Sequence, residues 1–428
     1  MAFIETSLGP SASLFLWSTP KFKTTTVRVL LRTPLGPAAS AGALLPMVLQ
    51  RGTRQLRETI ELARRLDMLY GAELKADVLK MGEEQVIAFH LEVAHSAFVP
   101  GEDPLPEALR LLADVLTAPL LMQDGLRPDW VDQERENLRR RIQGIYSDKA
   151  HYAQLRLIEE MCKGEAYATP RLGRLEDLDA HTGPSLWRRW QEILRTAPVD
   201  IYMVGEIEPA VAEDHARELL ERFGRRAAQP SAPASPHAAP AHPREVREHQ
   251  AVSQGKLAIG FTTGLRASDP GYPALAMMNG IYGGFSHSRL FQEVRERHSL
   301  AYYAQSQIDG LKGLCFVHLG IASPSREAAQ ELVLQQLAAV QRGEFTAQEM
   351  QDTLSGIASQ ILQSADAPSE AIMTDFELRA AGRPTEPEER RAALAAVSRE
   401  EIAAAAADLR LDTIYFLEGE GETDGDAP

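Results

Sequence analysis

The stretch Gly283–Tyr303, GGFSHSRLFQEVRERHSLAYY, joins a glycine pair, a charged helix and the start of a strand. The two glycines allow a tight turn or a close backbone approach that a side chain would block. After them Leu290, Phe291, Val294 and His298 recur at helical spacing, while Arg289, Glu293, Arg295, Glu296 and Arg297 occupy the remaining positions. The pattern breaks at Ser299, and Leu300, Ala301, Tyr302 and Tyr303 read as a strand entering a sheet. Arg295 and Tyr302 therefore fall at the end of a helix and the start of the next strand. A guanidinium fork and a phenol placed there can both donate to a peptide carbonyl. The plainer reading is a solvated helix face followed by a core strand.

The bulk numbers bound what lies around this stretch. A chain of 428 residues suits two domains of roughly 200 residues. Hydrophobic content of 44% and charged content of 25% are those of a globular protein with ample core. A formal charge of −15 and a pI near 5.3 argue against a nucleic-acid backbone or an anionic membrane as the main partner. No apolar run is long enough to span a bilayer. The N-terminal MAFIETSLGPSASLFLW lacks the basic start of a signal peptide, so the expected location is cytoplasmic. Cys162 and Cys315 are far apart and in no paired motif, as two buried thiols would be.

Read in order, TTTVRVLLRTP (24–34) is a half-buried strand, and 37–50 is an apolar helix with Pro46 inside it. Arg51-Gly52 is expected to close that helix as a C-cap. A second helix spans 59–69, and ELKADVLKMG with EEQVIAFHLEVA forms a hairpin. Helices follow at 105–116, 130–146, 151–162 and 185–194, then the strand DIYMVGE (200–206). Residues 227–243, AAQPSAPASPHAAPAHP, change to Ala, Pro and Ser, the composition of an extended tether that gains little by burial. Beyond it the order of elements repeats. KLAIGFTT answers the first strand, 272–282 the first helix, 301–308 with 314–321 the hairpin, 326–341 and 347–364 the long helices, and DTIYFLEGE the closing strand.

This order of elements, together with GGFSHSRLFQEVRERHSLAYY, resembles the insulinase (pitrilysin, or M16) metallopeptidase family, above all its shorter chains, which associate as pairs. The resemblance covers nearly the whole chain apart from the tether and the tail. It implies an α+β fold of two tandem homologous α/β roll domains, like the mitochondrial processing peptidases, forming one half of a clamshell around a peptide chamber. The expected divisions are 1–226 and 246–420 for the domains, 227–245 for the linker and 421–428 for an acidic tail.

In that family a His-x-x-Glu-His motif on the first helix holds zinc, and a glutamate on a later helix completes the site. Two histidines four apart share one helical face, and the glutamate between them polarises the attacking water. Counted back from Arg51-Gly52-Thr53, the histidine positions fall on Ala43 and Met47 and the glutamate on Pro46. The later ligand falls on Arg141, next to Arg139 and Arg140, beyond Glu134-Arg135. The resemblance thus implies no zinc in this chain. Arg295 and Tyr302 match the family's substrate-binding arginine and tyrosine, which stabilise the transition state from across the chamber. The implied role is a non-catalytic, substrate-binding subunit whose zinc-bearing homologue is its partner and whose substrate is a peptide or unfolded protein. LLPMVLQRGT…LYGAELKADVLKMG further resembles a bacterial branch linked by name to 5-aminopentanol modification of elongation factor P.

Rival readings start from other residues. A peptide-binding or scaffold homodimer without proteolytic role would use the same chamber, and an orphan pocket would serve stability alone. His242 and His249 with two glutamates between them are seven apart, not four, and leave a proline-rich segment. His90, His95 and His298 read as satisfied or solvated histidines, and Glu159-Glu160 as a solvated face. Ser286, His287 and Ser288 lack the Gly-x-Ser-x-Gly elbow, and Cys162, beside Lys163, has no histidine partner in sequence.

Overall fold

The computed structural model describes residues 3–224, 226–227 and 235–418 and divides into two compact units. The first comprises Met1–Gln143, Thr169–Pro233 and Pro368–Met373; the second comprises Gly144–Ala168, Ala234–Ala367 and Thr374–Pro428. The acidic tail 421–428 lies outside the described residues.

In the first unit strands β1 (Ile4–Gly9), β2 (Ala12–Ser18), β3 (Thr24–Pro34), β4 (Glu73–Met81), β5 (Glu84–Ala94) and β8 (Val199–Gly205) form one sheet; β6 (Leu121–Met122) and β7 (Gly125–Leu126) make a separate small hairpin. The order is β1-β2-β8-β3-β5-β4, with β2 and β8 parallel and every other pair antiparallel. Helices α1 (Ala39–Leu49), α3 (Leu105–Thr117) and α6 (Gly183–Thr196) pack on this sheet. Trp190 of α6 is fully buried beside Phe89 of β5, and its indole N–H donates to the Leu116 carbonyl at 2.7 Å. That bond satisfies the one polar atom of a large buried ring. Helix α2 (Thr59–Met68) starts on a capping box between Glu58 and Glu61 and buries only Leu62.

The second unit repeats the pattern. Its sheet runs β11 (Ala301–Asp309), β12 (Leu314–Ile321), β10 (Gly255–Thr262), β13 (Arg410–Glu418), β9 (Arg244–His249). Aligned on β3 and β10, the orders β4-β5-β3-β8-β2 and β11-β12-β10-β13-β9 coincide, including the parallel pair at the same place. One face of the second sheet carries helices α8 (Tyr272–Asn279), α9 (Arg326–Gln341), α10 (Ala347–Ser364), α12 (Pro387–Ala395) and α13 (Arg399–Ala407) over a core of Leu257, Ile259, Val317, Leu319 and Phe416. The other face carries α5 (Lys149–Met161), whose Ala153, Leu157 and Met161 pack with Ala258, Phe316 and Tyr415.

The repeat read from sequence thus reappears strand for strand, with three differences. Helix α5 belongs to the second unit although it falls within 1–226, and the crossing is made by the long helix α4 (Pro128–Ser147). Residues 244 and 245, expected in the linker, begin β9 and pair with Thr413 and Ile414. Strands β1 and β2 carry too weak an alternation to be read from pattern, and helices α7 (Pro209–Glu221) and α11 (Pro368–Ala380), with α12 and α13, also went unread. Among the described residues no helix is long and apolar enough to cross a membrane.

The glycines that open 283–303 act through close approach. A Cβ on Gly283 would stand 2.5 Å from the Ser306 hydroxyl and 2.7 Å from its backbone nitrogen on β11, and 2.8 Å from Leu290. Because backbone is among those neighbours, they cannot simply step aside. Gly283→Ala should lower stability in urea denaturation by about 1–3 kcal/mol, the range for overpacking a well-filled site. Gly82→Ala, in the β4–β5 turn, tests a different cause, its φ of +55°, and serves as the comparison.

Candidate functional site: an apolar first helix and an exposed arginine–tyrosine pair

In the first unit the residues of α1 from Ala39 to Leu49 are buried except Met47, which is partly covered. Ala43 and Pro46 are both enclosed and offer no ligand atom. Proline also removes the N–H that would have bonded the carbonyl one turn back, yet the helix runs on, and the Pro46 carbonyl accepts from both the backbone and the side-chain amide of Gln50. The buried Gln85 of β5 donates to the carbonyls of Ala39 and Arg171 at 2.8 and 2.6 Å. Ser40 meets His181 Nε2 at 2.7 Å, and burial holds that imidazole below its ordinary pKa.

Arg141 of α4 donates both contacts of one amino group to Asp77 of β4, at 2.9 and 3.2 Å, and Arg171 stands 3.8 Å from the same carboxylate. Arg139 instead pairs with Asp179 at 2.7 Å, and Arg140 with Asn137 at 2.7 Å. The three arginines therefore do not form one cationic face. Successive helical residues turn by about 100°, so Arg141 reaches Asp77 while Arg139 and Arg140 also both approach Glu136, at 3.4 and 4.0 Å. Only Arg141 is directed at the strand beside α1.

Arg51-Gly52 also does something other than expected. Helix α1 ends with Gln50 as its cap, and Gly52 is not in the left-handed region. A Cβ there would meet the Leu56 carbonyl at 2.6 Å and the Trp130 ring at 2.8 Å, so Gly52 permits α4 to come close. Arg51 then donates to Glu134 at 2.8 Å and to Gln133 at 2.7 Å. Glu134 is 6% exposed and takes a second bond from Asn137 at 3.0 Å.

In the second unit Leu290–Arg297 is a π-helical segment, with the His298 amide bonded back to Glu293 at 3.1 Å. Leu290 and Val294 are fully buried, whereas His298 is exposed and lies off the apolar face assigned to it by spacing, since the wider turn shifts the period. Arg289 fixes the segment by an ion pair with Glu349 at 3.0 Å. Ser299, at a φ of +51°, then turns the chain into β11, and the Leu300 amide returns to the Val294 carbonyl at 2.9 Å.

That turn sets out both residues singled out from sequence. Arg295 is 43% exposed, with its guanidinium carbon 4.5 Å from the Phe291 ring centre and Nε 3.6 Å from Glu296. Stacking on a ring holds an arginine's plane while leaving its outer N–H groups free to donate. Tyr302 is 61% exposed and sits at a β-bulge: Ala301 pairs with Ile321 and Tyr303 with Gly320, leaving residue 302 over. Such an extra residue is turned away from the ladder. Tyr303 takes the inward place and lies on Gly320, where a Cβ would be 2.5 Å from its ring. Among the described residues the Tyr302 hydroxyl has no hydrogen-bond partner. Neither member of the pair is sealed in the core.

The rival constellations dissolve into ordinary contacts. His249 pairs with Glu418 at 3.2 Å on an exposed edge. His287 faces Thr353 at 3.2 Å rather than either neighbouring serine. His90 contacts Arg28, His95 Nδ1 accepts from the Ala97 amide, and both Glu159 and Glu160 bind Arg156. Cys162 and Cys315 are both buried and in no disulfide, and burial pushes the Cys315 thiol up to about 12. Sequence reasoning missed His237, inside the segment read as tether, whose side chain is 4% exposed and lies within 4.8 Å of Cys162 and Glu165. Its one signal was being the sole ionisable residue between Arg226 and His242.

Removing Arg51 would leave Glu134 charged, enclosed and held by Asn137 alone. Arg51→Ala should cost about 2–3 kcal/mol in urea denaturation, below the full value for a buried pair because Arg51 itself is 27% exposed. Glu134→Gln in the Arg51→Ala background should restore part of that loss.

A family profile described as "Peptidase M16 inactive domain" matches residues 185–357, a span that includes Arg295 and Tyr302. The chain is 36% identical over 405 residues, 94% of each chain, to the "Probable inactive metalloprotease YmfF" of Bacillus subtilis. Among solved structures, a conserved protein from Enterococcus faecalis matches with a TM-score of 0.92 at 27% identity, covering 99% of this chain and 100% of that one. A peptidase M16 inactive domain from Pseudomonas fluorescens shares the fold, with a TM-score of 0.82 at 18% identity over 98% and 99% of the two chains. With a shared fold of two repeated α+β units and identity maintained from end to end, the protein belongs to the M16 metallopeptidase family.

Proposed function

We propose that this chain is the non-catalytic, substrate-binding subunit of a two-chain M16 peptidase, supplying Arg295, Tyr302 and half of the peptide chamber to a zinc-bearing homologue. The observation that carries this reading is the contrast between the two units. Ala43, Pro46 and Met47 on α1 offer neither imidazole nor carboxylate, and Arg141 brings a cation where the family has an anionic ligand. Arg295 and Tyr302, by contrast, stand exposed at a helix-to-strand turn. The name of the Bacillus subtilis relative is in keeping with this.

In the reaction, zinc held by the partner would supply the polarised water. The Arg295 fork and the Tyr302 hydroxyl would hold the scissile carbonyl and donate to its oxygen as charge gathers there. Donors placed before the charge develops are the condition for oxyanion stabilisation. One such donor is typically worth about 3–4 kcal/mol of barrier.

The test is co-expression with a zinc-bearing homologue from the same genome and assay of a quenched peptide. A stable heterodimer should form, and cleavage should require both chains. Arg295→Ala or Tyr302→Phe should lower kcat about 10²–10³-fold without dissociating the dimer. Arg297→Ala, which removes only an exposed pair with Glu293 at 2.7 Å, should leave cleavage unchanged. Full activity of the homologue alone would overturn the proposal. So would a homodimer of this chain that binds peptide and ignores the homologue, or stoichiometric zinc in the chain purified by itself.

A further inference from the structure

The Ala/Pro/Ser-rich segment that enters the second unit carries one buried ionisable side chain, and both of its ring nitrogens meet carboxylates. His237 Nδ1 lies 2.5 Å from Glu165 Oε1, in the turn after α5, and Nε2 lies 2.9 Å from Asp412 Oδ2 on β13. A neutral imidazole has one N–H and could donate to only one of two ionised carboxylates, so donating to both takes the imidazolium. We propose that His237 is a protonated anchor that fastens residues 235–243 to the body of the second unit and lets them go when its proton is lost.

The surroundings are those of a built ionic site. Asp412 and Lys312 are wholly enclosed, and the Lys312 ammonium binds Glu165 Oε2 at 2.6 Å and the Ser235 carbonyl at 2.7 Å. Lys312 thus grips the same segment two residues before His237. Arg244, opening β9, donates to the Met161 carbonyl at 2.6 Å and reaches Asp412 Oδ1 at 3.3 Å. Asp309, at the end of β11, accepts from the Tyr167 hydroxyl at 2.6 Å and from the Lys312 amide at 2.9 Å. The remaining titratable neighbour is the buried Cys162. Glu165 and Asp412 face the imidazole directly, and Lys312 and Arg244 lie against those same two carboxylates. An uncompensated charge at such depth would be strongly disfavoured.

The pKa directions agree with this geometry. The hydrogen bond to Asp412 raises His237 above an ordinary histidine, aided by Glu165 and opposed by burial. Burial resists ionisation of Asp412, but the bond from His237, a bond from Thr413 and the nearby cations outweigh it and hold that carboxyl below its usual range. A histidine whose folded pKa is raised contributes fully below 6.5 and loses that contribution as pH rises through the folded value. Asp412, being depressed, contributes above 3.8 and loses it as pH falls through its own folded value. The anchor is therefore at full strength between these limits and releases on the alkaline side.

The inference is independent of the peptidase reading. Its test is a histidine Cε1–H NMR titration of the full chain, with the His237 signal assigned by its loss in His237→Ala. Proteinase K cleavage within residues 238–241, mapped by mass spectrometry, is followed in parallel at each pH. His237 should titrate above 6.5. The variant should be cut severalfold faster than the natural chain near pH 6, and the two rates should converge once the pH passes the measured pKa. A His237 pKa at or below the ordinary value, or a rate ratio that does not change with pH, would overturn the proposal. Metal analysis of the purified chain should find no stoichiometric ion; a transition metal that is lost in His237→Ala would replace the proton anchor with a metal one.

Discussion

The surface that presents Arg295 depends on how closely the backbone at Gly283 can approach β11. Gly283 lets the π-helical turn 280–284 rest directly on Ser306, and Leu290 and Val294 then seat the next segment in the core of the second unit. With that segment seated, its last residues have nowhere to go but the turn at Ser299 and the edge strand. A bulge at the second position of that strand then turns Tyr302 outward. One missing side chain, one left-handed residue and one extra strand residue together set the pair on the surface.

The first unit shows the same framework put to another use. The strand orders match, the parallel pair recurs, and a helix follows the central strand in each. Helix α1 is nevertheless clamped from several sides. Gln85 ties its first carbonyl, His181 meets Ser40, and Arg51 at its far end is bound to α4 through Glu134. A helix bearing two histidines and a glutamate would need polar partners and an open face for them. Alanine, proline and methionine need neither, so here the position is filled as core.

The segment between the repeats gained an anchor in a comparable way. Its composition offers almost no apolar surface to bury, so hydrophobic burial gives it little reason to settle. An ion-paired histidine supplies a reason of a different kind. It is one that depends on pH, because only the imidazolium carries an N–H on each ring nitrogen, one for each carboxylate.

Much of this was legible in the chain itself. Alternating Thr and Val marked β3, the apolar run at 200–206 marked β8, and the helices of both halves showed their period, because these patterns depend on neighbours a few residues away. The residue types at 43, 46, 47 and 141, and the spacing of Arg295 and Tyr302, were likewise open to reading. Tertiary structure alone decided the rest. It moved α5 into the second unit, paired β9 with β13, turned Arg141 to Asp77 and Arg139 to Asp179 and buried His237 among residues distant in sequence. Those outcomes turn on contacts between segments far apart along the chain, and no local period or composition encodes which distant carboxylate a lone histidine will meet.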